Sequence, residues 1–428
     1  MFIILPLKQK IIMPDKNELN YFRKVFEKEL FSILNYWMHY AVEKNGDGFY
    51  GAVGLDNKPV DDAPKSCVLN ARILWTFSEA SMMYPDIGYE EMAQRAFRVL
   101  QNNFKDNLHE GYYMMLDSSN KVIDQVKHTY AQAFVLYSLS KYYESNPHKG
   151  LLKIIEDFFN FLDDKSKDPN NPGYLEAFTR EWELYEENRM ADNNEPKSMN
   201  THLHILEAYA AVYKVLPLDI VEERLRHLID LFLNNIIRAD GHLGIFFTED
   251  FTETENSKGI CSFGHDIEAS WLIWEALEIL GDEVLKERAK PILVKMAKAV
   301  LREGLDQDGG LFLESTRFGS HVKTNKHWWL QAEVMVGEMN AFQLSGDSKY
   351  WEDLKLSWNF VNKYVIDHEG GEWFTKINRL GKPYLLEPED DPSPYYRNDW
   401  KVDPWKCPYH NGRTMMELMR RIGELVDR

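Results

Sequence analysis

Five of the thirteen histidines in this 428-residue chain, His128, His202, His204, His265 and His410, stand at the beginnings of apolar segments. Imidazole accepts or donates a proton near neutrality. Two of them on opposite faces of a substrate carbon can remove a proton and return one from the other side, inverting the centre. The stretch SFGHDIEASW, residues 262–271, adds a carboxylate, Glu268, one helical turn after His265. A carboxylate so placed can hold an imidazole's tautomer. Other polar and aromatic residues share these segment starts: Asn70 and Arg72, Tyr130 and Gln132, Asn200, Trp328, Trp329, Gln331 and Glu333, and Trp405, Asn411 and Arg413. Several histidines gathered in one place would each carry a desolvation penalty without structural return, which favours a site over packing.

Other chemistries compete for the same residues. A carboxylate-bridged dimetal bundle uses Glu-x-x-His pairs, whereas the order here is His-x-x-Glu. His202 and His204 lie on different faces of a helix, unlike the i, i+4 pair of HExxH. Glycoside hydrolysis needs two opposed carboxylates; Glu176, Glu268 and Glu333 are candidates, but the histidines would then have no task. Cys407, three residues before His410, is a candidate nucleophile set against the commoner buried and inert thiol. A sugar-binding barrel without catalysis is the alternative outside enzymology.

The elements that must position these residues form a repeat. Six segments, CVLNARILWTFSEA, KHTYAQAFVLYSLSKYYE, MNTHLHILEAYAAVY, GHDIEASWLIWEALEIL, WWLQAEVMVGEMNAFQ and CPYHNGRTMMELMRR, open with polar or aromatic residues and run on as apolar helices. Between them lie six amphipathic helices with apolar residues at i, i+3, i+4 and i+7 and charged outer faces. Each of these is followed by a glycine and a hairpin-like turn, as at Gly48-Phe49-Tyr50 and Gly310-Leu311-Phe312. The spacing predicts an all-α fold, an (α/α)6 barrel of twelve helices in two concentric rings with short β-hairpin loops. All six inner N-termini then open at one end. Residues 16–428 are expected to form this single domain, and residues 1–15 a disordered leader with Met13 as an alternative start. The run RMADNNEPKSMN, with Asp192, reads as a polar loop over the mouth.

A net charge of -18 and a pI near 5.2 argue against nucleic acid and anionic membranes and favour a small neutral substrate. The three cysteines, Cys67, Cys261 and Cys407, lack CxxC or zinc spacing, so reduced, buried thiols in a cytoplasmic protein are expected. No stretch approaches the roughly 18 to 20 apolar residues of a membrane span. A monomer or weak dimer is expected.

MNTHLHILEAY, GHDIEASWL, WWLQAE and WKCPYHNGR, in this order, together with CVLNARILW and KHTYAQAF, resemble the cellobiose and mannobiose 2-epimerases of the N-acylglucosamine 2-epimerase superfamily. The resemblance runs from about residue 20 to the C-terminus, with Ser262-Phe263 standing where a tyrosine often precedes GHDIE. It implies a reaction without cofactor or metal, in which the reducing-end sugar of a β-1,4-linked disaccharide opens, loses its C2 proton to a cis-enediol and is reprotonated on the other face. It also implies roles: His265 and His410 as the acid/base pair, His204 and Arg72 on the O1 side, and Glu268 supporting His265. Asn200 then contacts the reacting sugar, and Trp329 and Trp405 flank the disaccharide, with Trp328 as a substitute for stacking. Tyr130 and Glu333 complete the substrate side. A monosaccharide aldose–ketose isomerase or an N-acylglucosamine 2-epimerase of the same superfamily is the alternative. Independently of the resemblance, an aldose C2 proton is too weakly acidic for a neutral base unless the developing oxyanion meets preorganised donors, for which Arg72 and His204 are suited.

Overall fold

The computed structural model describes residues 13–185, 194–316, 319–384 and 397–427. Asp192 with its neighbours and most of the expected leader lie outside the described residues. Asp15, at the end of that leader segment, caps the first helix, its carboxylate accepting from the backbone N–H groups of Asn17 and Glu18 at 2.8 and 2.9 Å.

Among the described residues, twelve α-helices alternate between two rings. The outer set is α1 (Lys16–Tyr36), α3 (Tyr89–Val99), α5 (Lys149–Ser166), α7 (Asp219–Leu231), α9 (Glu283–Glu303) and α11 (Ser348–Phe360). The inner set is α2 (Cys67–Met83), α4 (Thr129–Ser145), α6 (Met199–Val215), α8 (Phe263–Leu280), α10 (Trp328–Ser345) and α12 (Tyr409–Val426). An outer helix buries one stripe, as α3 does with Tyr89, Met92, Ala93, Ala96 and Val99, because its other face meets water. The inner helices α2 and α4 are buried almost all round, which their mostly apolar composition permits. Each inner helix touches the next, from α2 to α12, and α12 returns to α2, closing the barrel.

Short antiparallel pairs lace the units together. The two residues before an inner helix pair with the loop of the following unit: Lys65–Ser66 with Met115–Leu116, Lys127–His128 with Ala177–Phe178, Lys197–Ser198 with Phe246–Phe247, and Lys326–His327 with Lys376–Ile377. Val53–Gly54 pairs with Trp400–Val402 and completes the circuit. This lacing sets the six inner N-termini side by side at one end.

A second periodicity underlies the lacing. The strand lysines are buried against acids of the preceding loop: Lys127 with Asp106 at 3.1 Å, Lys197 with Asp168 at 2.6 Å, and Lys326 with Asp306 and Asp308 at 3.1 and 2.7 Å. Cys261 stands where the fourth unit would carry its lysine, and Arg238 takes the place, its Nη2 donating to the Ile260 carbonyl at 2.9 Å. Five positions after each of these residues a polar side chain clamps the backbone N–H behind the loop glycine. Gln132 accepts from Tyr112 N at 2.9 Å, His202 from Tyr174 N at 2.9 Å, Asp266 from Leu243 N at 2.8 Å and Gln331 from Leu311 N at 2.8 Å. Buried donors without such acceptors are costly, so these clamps are part of the fold.

All three cysteines are buried and unpaired. No helix among the described residues is long and apolar enough to cross a membrane.

Candidate active site

Counting seven residues from the strand lysines, or from Cys261 and Lys406 in their places, gives Phe134 and five polar residues, Arg72, His204, Glu268, Glu333 and Arg413. All five are buried, on the inward stripe of their helices, and they meet at the barrel axis. Tyr130, Asn200, Trp329 and Tyr409 occupy the same stripe one turn nearer the mouth.

Arg413 is the hub. Its Nη2 donates to Glu333 at 2.7 Å and to Glu268 at 3.0 Å, and its Nη1 reaches Glu207 and the Tyr409 hydroxyl. Burial would raise Glu333, but Arg413 and the His410 N–H outweigh it and hold the carboxyl at about 2. Burial and the adjacent Glu333 charge push Glu268 well up. One carboxylate and one neutral acid therefore share the guanidinium, since two like charges so close resist joint ionisation.

Each imidazole at the mouth has its Nδ1 engaged. His410 Nδ1 lies 2.6 Å from Glu333, His204 Nδ1 3.0 Å from Glu207, and His265 Nδ1 2.7 Å from the Ser262 hydroxyl. Burial pushes His410 and His265 down to about 3 and lowers His204 as well, so all three are neutral at pH 7. An ionised carboxylate only accepts, so His410 and His204 carry their protons on Nδ1 and present Nε2 as a lone pair.

The expected support of His265 by Glu268 is not what the structure shows. Glu268 turns down to Arg413, and Ser262 is the partner of His265. The three polar side chains of GHDIE, His265, Asp266 and Glu268, diverge because successive helix residues point about 100° apart. Gly264 lets the Trp329 indole pack on the first turn of α8, where a Cβ would fall 2.6 Å from the ring. Asp266 faces away from the axis and pairs with His242 at 2.7 Å, and although burial alone would lower this histidine, the carboxylate carries it to about 11.

Arg72 is buried without a carboxylate partner among the described residues. Its Nη2 donates to the Tyr130 hydroxyl at 2.7 Å and its Nη1 to the Trp405 carbonyl at 3.3 Å, its guanidinium lies 4.3 Å from the Phe134 ring centre, and its Nε is unpartnered. Asn200 is half-buried, and its Oδ1 has no partner among the described residues. Trp329 packs against both histidines, its ring 4.8 Å from His265 and 5.7 Å from His410, and like Trp405 it is half-buried. Trp328 is closed off beneath Lys406 and beside His410. The structure therefore brings together His204, His265, His410, Arg72, Tyr130, Glu268, Glu333, Trp328 and Trp329, with Trp405 and Asn200 on the same mouth.

Other mouth residues serve the fold. His202, Gln132 and Gln331 are loop clamps, and Asn411 donates to Glu372 at 2.7 Å. Glu176 accepts from the Ser198 N–H at 2.7 Å and the Thr201 hydroxyl at 2.6 Å, away from the other carboxylates. Burial raises the Cys407 thiol, which suits an inert residue. Glu207 and Ser262 were not singled out as functional in the sequence, and Arg413 was placed at the mouth without a role. For Glu207 the signal is present: the His-x-x-Glu spacing recurs at His204-Ile-Leu-Glu207, and there the carboxylate does reach the imidazole.

Glu268, Glu333 and His410 have ligand atoms within 4.8 Å of one another, close enough for a metal ion. The guanidinium of Arg413 already lies on both carboxyl groups, so a divalent cation there would face a fixed positive charge. This donor set fits a metal poorly.

Residues 48–396 match the N-acylglucosamine 2-epimerase (GlcNAc 2-epimerase) family. The chain belongs to this family. It is thereby a carbohydrate epimerase, an isomerase. Among family relatives, the cellobiose 2-epimerase of Bacteroides fragilis is 38% identical over 93% of this chain and 98% of its own length. That of Dictyoglomus turgidum is 36% identical over 93% and 99%. The solved cellobiose 2-epimerase of Spirochaeta thermophila superposes with a TM-score of 0.86 at 34% identity, covering 96% of this chain and 98% of that one.

Proposed function

We propose that the chain is a disaccharide 2-epimerase, exchanging glucose and mannose at the reducing end of a β-1,4-linked disaccharide such as cellobiose or mannobiose by proton transfer at C2. What carries this reading is the pair His265 and His410, both packed against Trp329 and each held by Nδ1 with Nε2 left over, together with a buried arginine that has no carboxylate partner among the described residues. The similarity to cellobiose 2-epimerases supports the choice of substrate.

The sugar opens to its aldehyde. His204, neutral with its Nδ1–H on Glu207, accepts the O1 hydroxyl proton on Nε2 as the C1–O5 bond breaks, and that proton goes on to O5, leaving His204 neutral. Neutral His410 then takes the C2 proton on Nε2. The C–H electrons form the C1–C2 double bond and the carbonyl pair moves to O1, where Arg72 meets the charge that appears there. Glu333 stabilises the imidazolium so formed. His265, neutral at rest, takes up a proton from solvent and returns it to C2 from the opposite face, while His410 releases to solvent the proton it took; in the reverse direction the two histidines exchange roles. Trp329 and Trp405 supply apolar faces for the sugar rings, while Asn200 and Tyr130 meet hydroxyls. The neutral substrate and the lack of membrane-spanning helices among the described residues fit a cytoplasmic enzyme.

Incubation with cellobiose, and separately with β-1,4-mannobiose, in D₂O tests this by NMR. Interconversion of the reducing-end sugar with deuterium at C2 is expected, and His265→Ala and His410→Ala are expected to abolish it. A ketose product would replace the reading with an isomerase, and unchanged disaccharides would refute it.

A further inference from the structure

Ser262 stands at the N-cap of α8, and its behaviour there departs from the equivalent residues. Ser66, the N-cap of α2, accepts from the Leu69 N–H at 2.9 Å, and Ser198, the N-cap of α6, accepts from the Thr201 N–H at 3.1 Å. These are ordinary caps that satisfy an orphan helix donor. Ser262 makes no side-chain cap bond, and its hydroxyl is instead 2.7 Å from His265 Nδ1. The same residue type at the same place in the repeat has been diverted from the backbone to an imidazole.

The partner's chemistry differs from that of the other two histidines. Glu333 and Glu207 are acceptors only while ionised, so each holds its histidine in one tautomer. A serine hydroxyl both donates and accepts. Its oxygen accepts from Nδ1–H both in the imidazolium and in the neutral ring whose Nε2 is a lone pair, and it adds no charge that would trap the proton.

Building on the proposed proton-transfer role of His265, we propose that Ser262 is a positioning residue for that histidine. Its hydroxyl holds Nδ1 in both the proton-accepting and the proton-releasing state and keeps Nε2 for the substrate. His265 is half-buried and flanked by Trp329, so the serine supplies the polar tether on its Nδ1 side.

The test compares Ser262→Ala, Ser262→Thr and His265→Ala for turnover of cellobiose, with melting temperature measured on each. Ser262→Ala is expected to lower kcat about ten-fold, the scale of one lost orienting hydrogen bond, with KM within about three-fold. Its melting temperature should match wild type, because no cap is lost. Ser262→Thr, which keeps the hydroxyl, should recover kcat to within about three-fold of wild type. Wild-type kcat in Ser262→Ala beside an inactive His265→Ala overturns the role of Ser262 and leaves the functional reading standing. A lowered melting temperature with no Thr rescue also overturns it, by marking a structural serine. Turnover surviving in His265→Ala overturns the functional reading itself and this inference with it.

Discussion

Glu333→Gln removes one charge and almost no volume, and the amide has no orientation that satisfies the three donors now around the carboxylate. Oε1 accepts from His410 Nδ1 at 2.6 Å and from Arg413 at 2.7 Å, while Oε2 accepts from the Trp271 indole at 3.0 Å. With the amide oxygen toward His410 and Arg413, its NH₂ opposes the indole N–H. With the amide reversed, NH₂ faces the guanidinium and drives the His410 proton onto Nε2, where the base needs a lone pair. In the first orientation, the amide oxygen accepts from both groups without the carboxylate's charge. The imidazolium formed at C2 deprotonation then loses its charge-assisted bond to a carboxylate, about 2 to 3 kcal/mol, or roughly 30- to 150-fold in kcat. KM should stay within about three-fold, because Glu333 is fully buried behind His410 and does not line the mouth. Initial rates of deuterium entry at C2 of cellobiose measure this, with circular dichroism confirming a folded protein. A folded variant whose kcat lies within about three-fold of wild type, or whose loss is confined to KM, would refute the idea that this carboxylate sets the basicity of His410.

Gly264→Ala should force the Trp329 ring away from the first turn of α8, costing about 1 to 3 kcal/mol of stability and at least ten-fold in kcat; thermal melts and initial rates check both. His202 is held down to about 3 by burial, with Nδ1 donating to the Ser198 carbonyl and Nε2 accepting from Tyr174 N, so a second ring proton has no acceptor. The unfolded chain takes that proton near the ordinary 6.5, and the stability present above that pH is lost as pH falls toward 3, with a slope up to about 1.4 kcal/mol per pH unit for this residue. His202→Gln uses the side chain that two other units place at the same clamp, Gln132 and Gln331; it should keep the fold and flatten the acid limb of a melting-temperature profile. Exhaustive chelation should leave turnover unchanged, because Arg413 occupies the position of a cation between Glu268 and Glu333. Loss of activity restored by added metal would return these residues to a metal site.

The twelve helices and their alternation were legible in the order of amino acids, because helix period, caps and glycine stops are local and survive without tertiary context. So were the residues at the barrel mouth, once six inner helices were aligned by their starts. The Lys-to-clamp spacing of five and the inward register of seven were equally present, and they separate His202, a clamp, from His204, a site residue, before any coordinates are known.

Pairing across the barrel was not legible. Arg413 meets Glu207, Glu268 and Glu333 from three other helices, and those contacts exist only after the ring closes through Val53–Gly54 and Trp400–Val402. Spacing within α8 suggested that Glu268 would serve His265. In the folded chain its carboxyl group turns instead to the buried guanidinium of Arg413, which it shares with Glu207 and Glu333. The amino-acid order by itself determined which residues face the axis, through helical periodicity; only the tertiary structure decided which of them share a proton or a charge, because that depends on the dielectric and the neighbours that closure of the barrel creates.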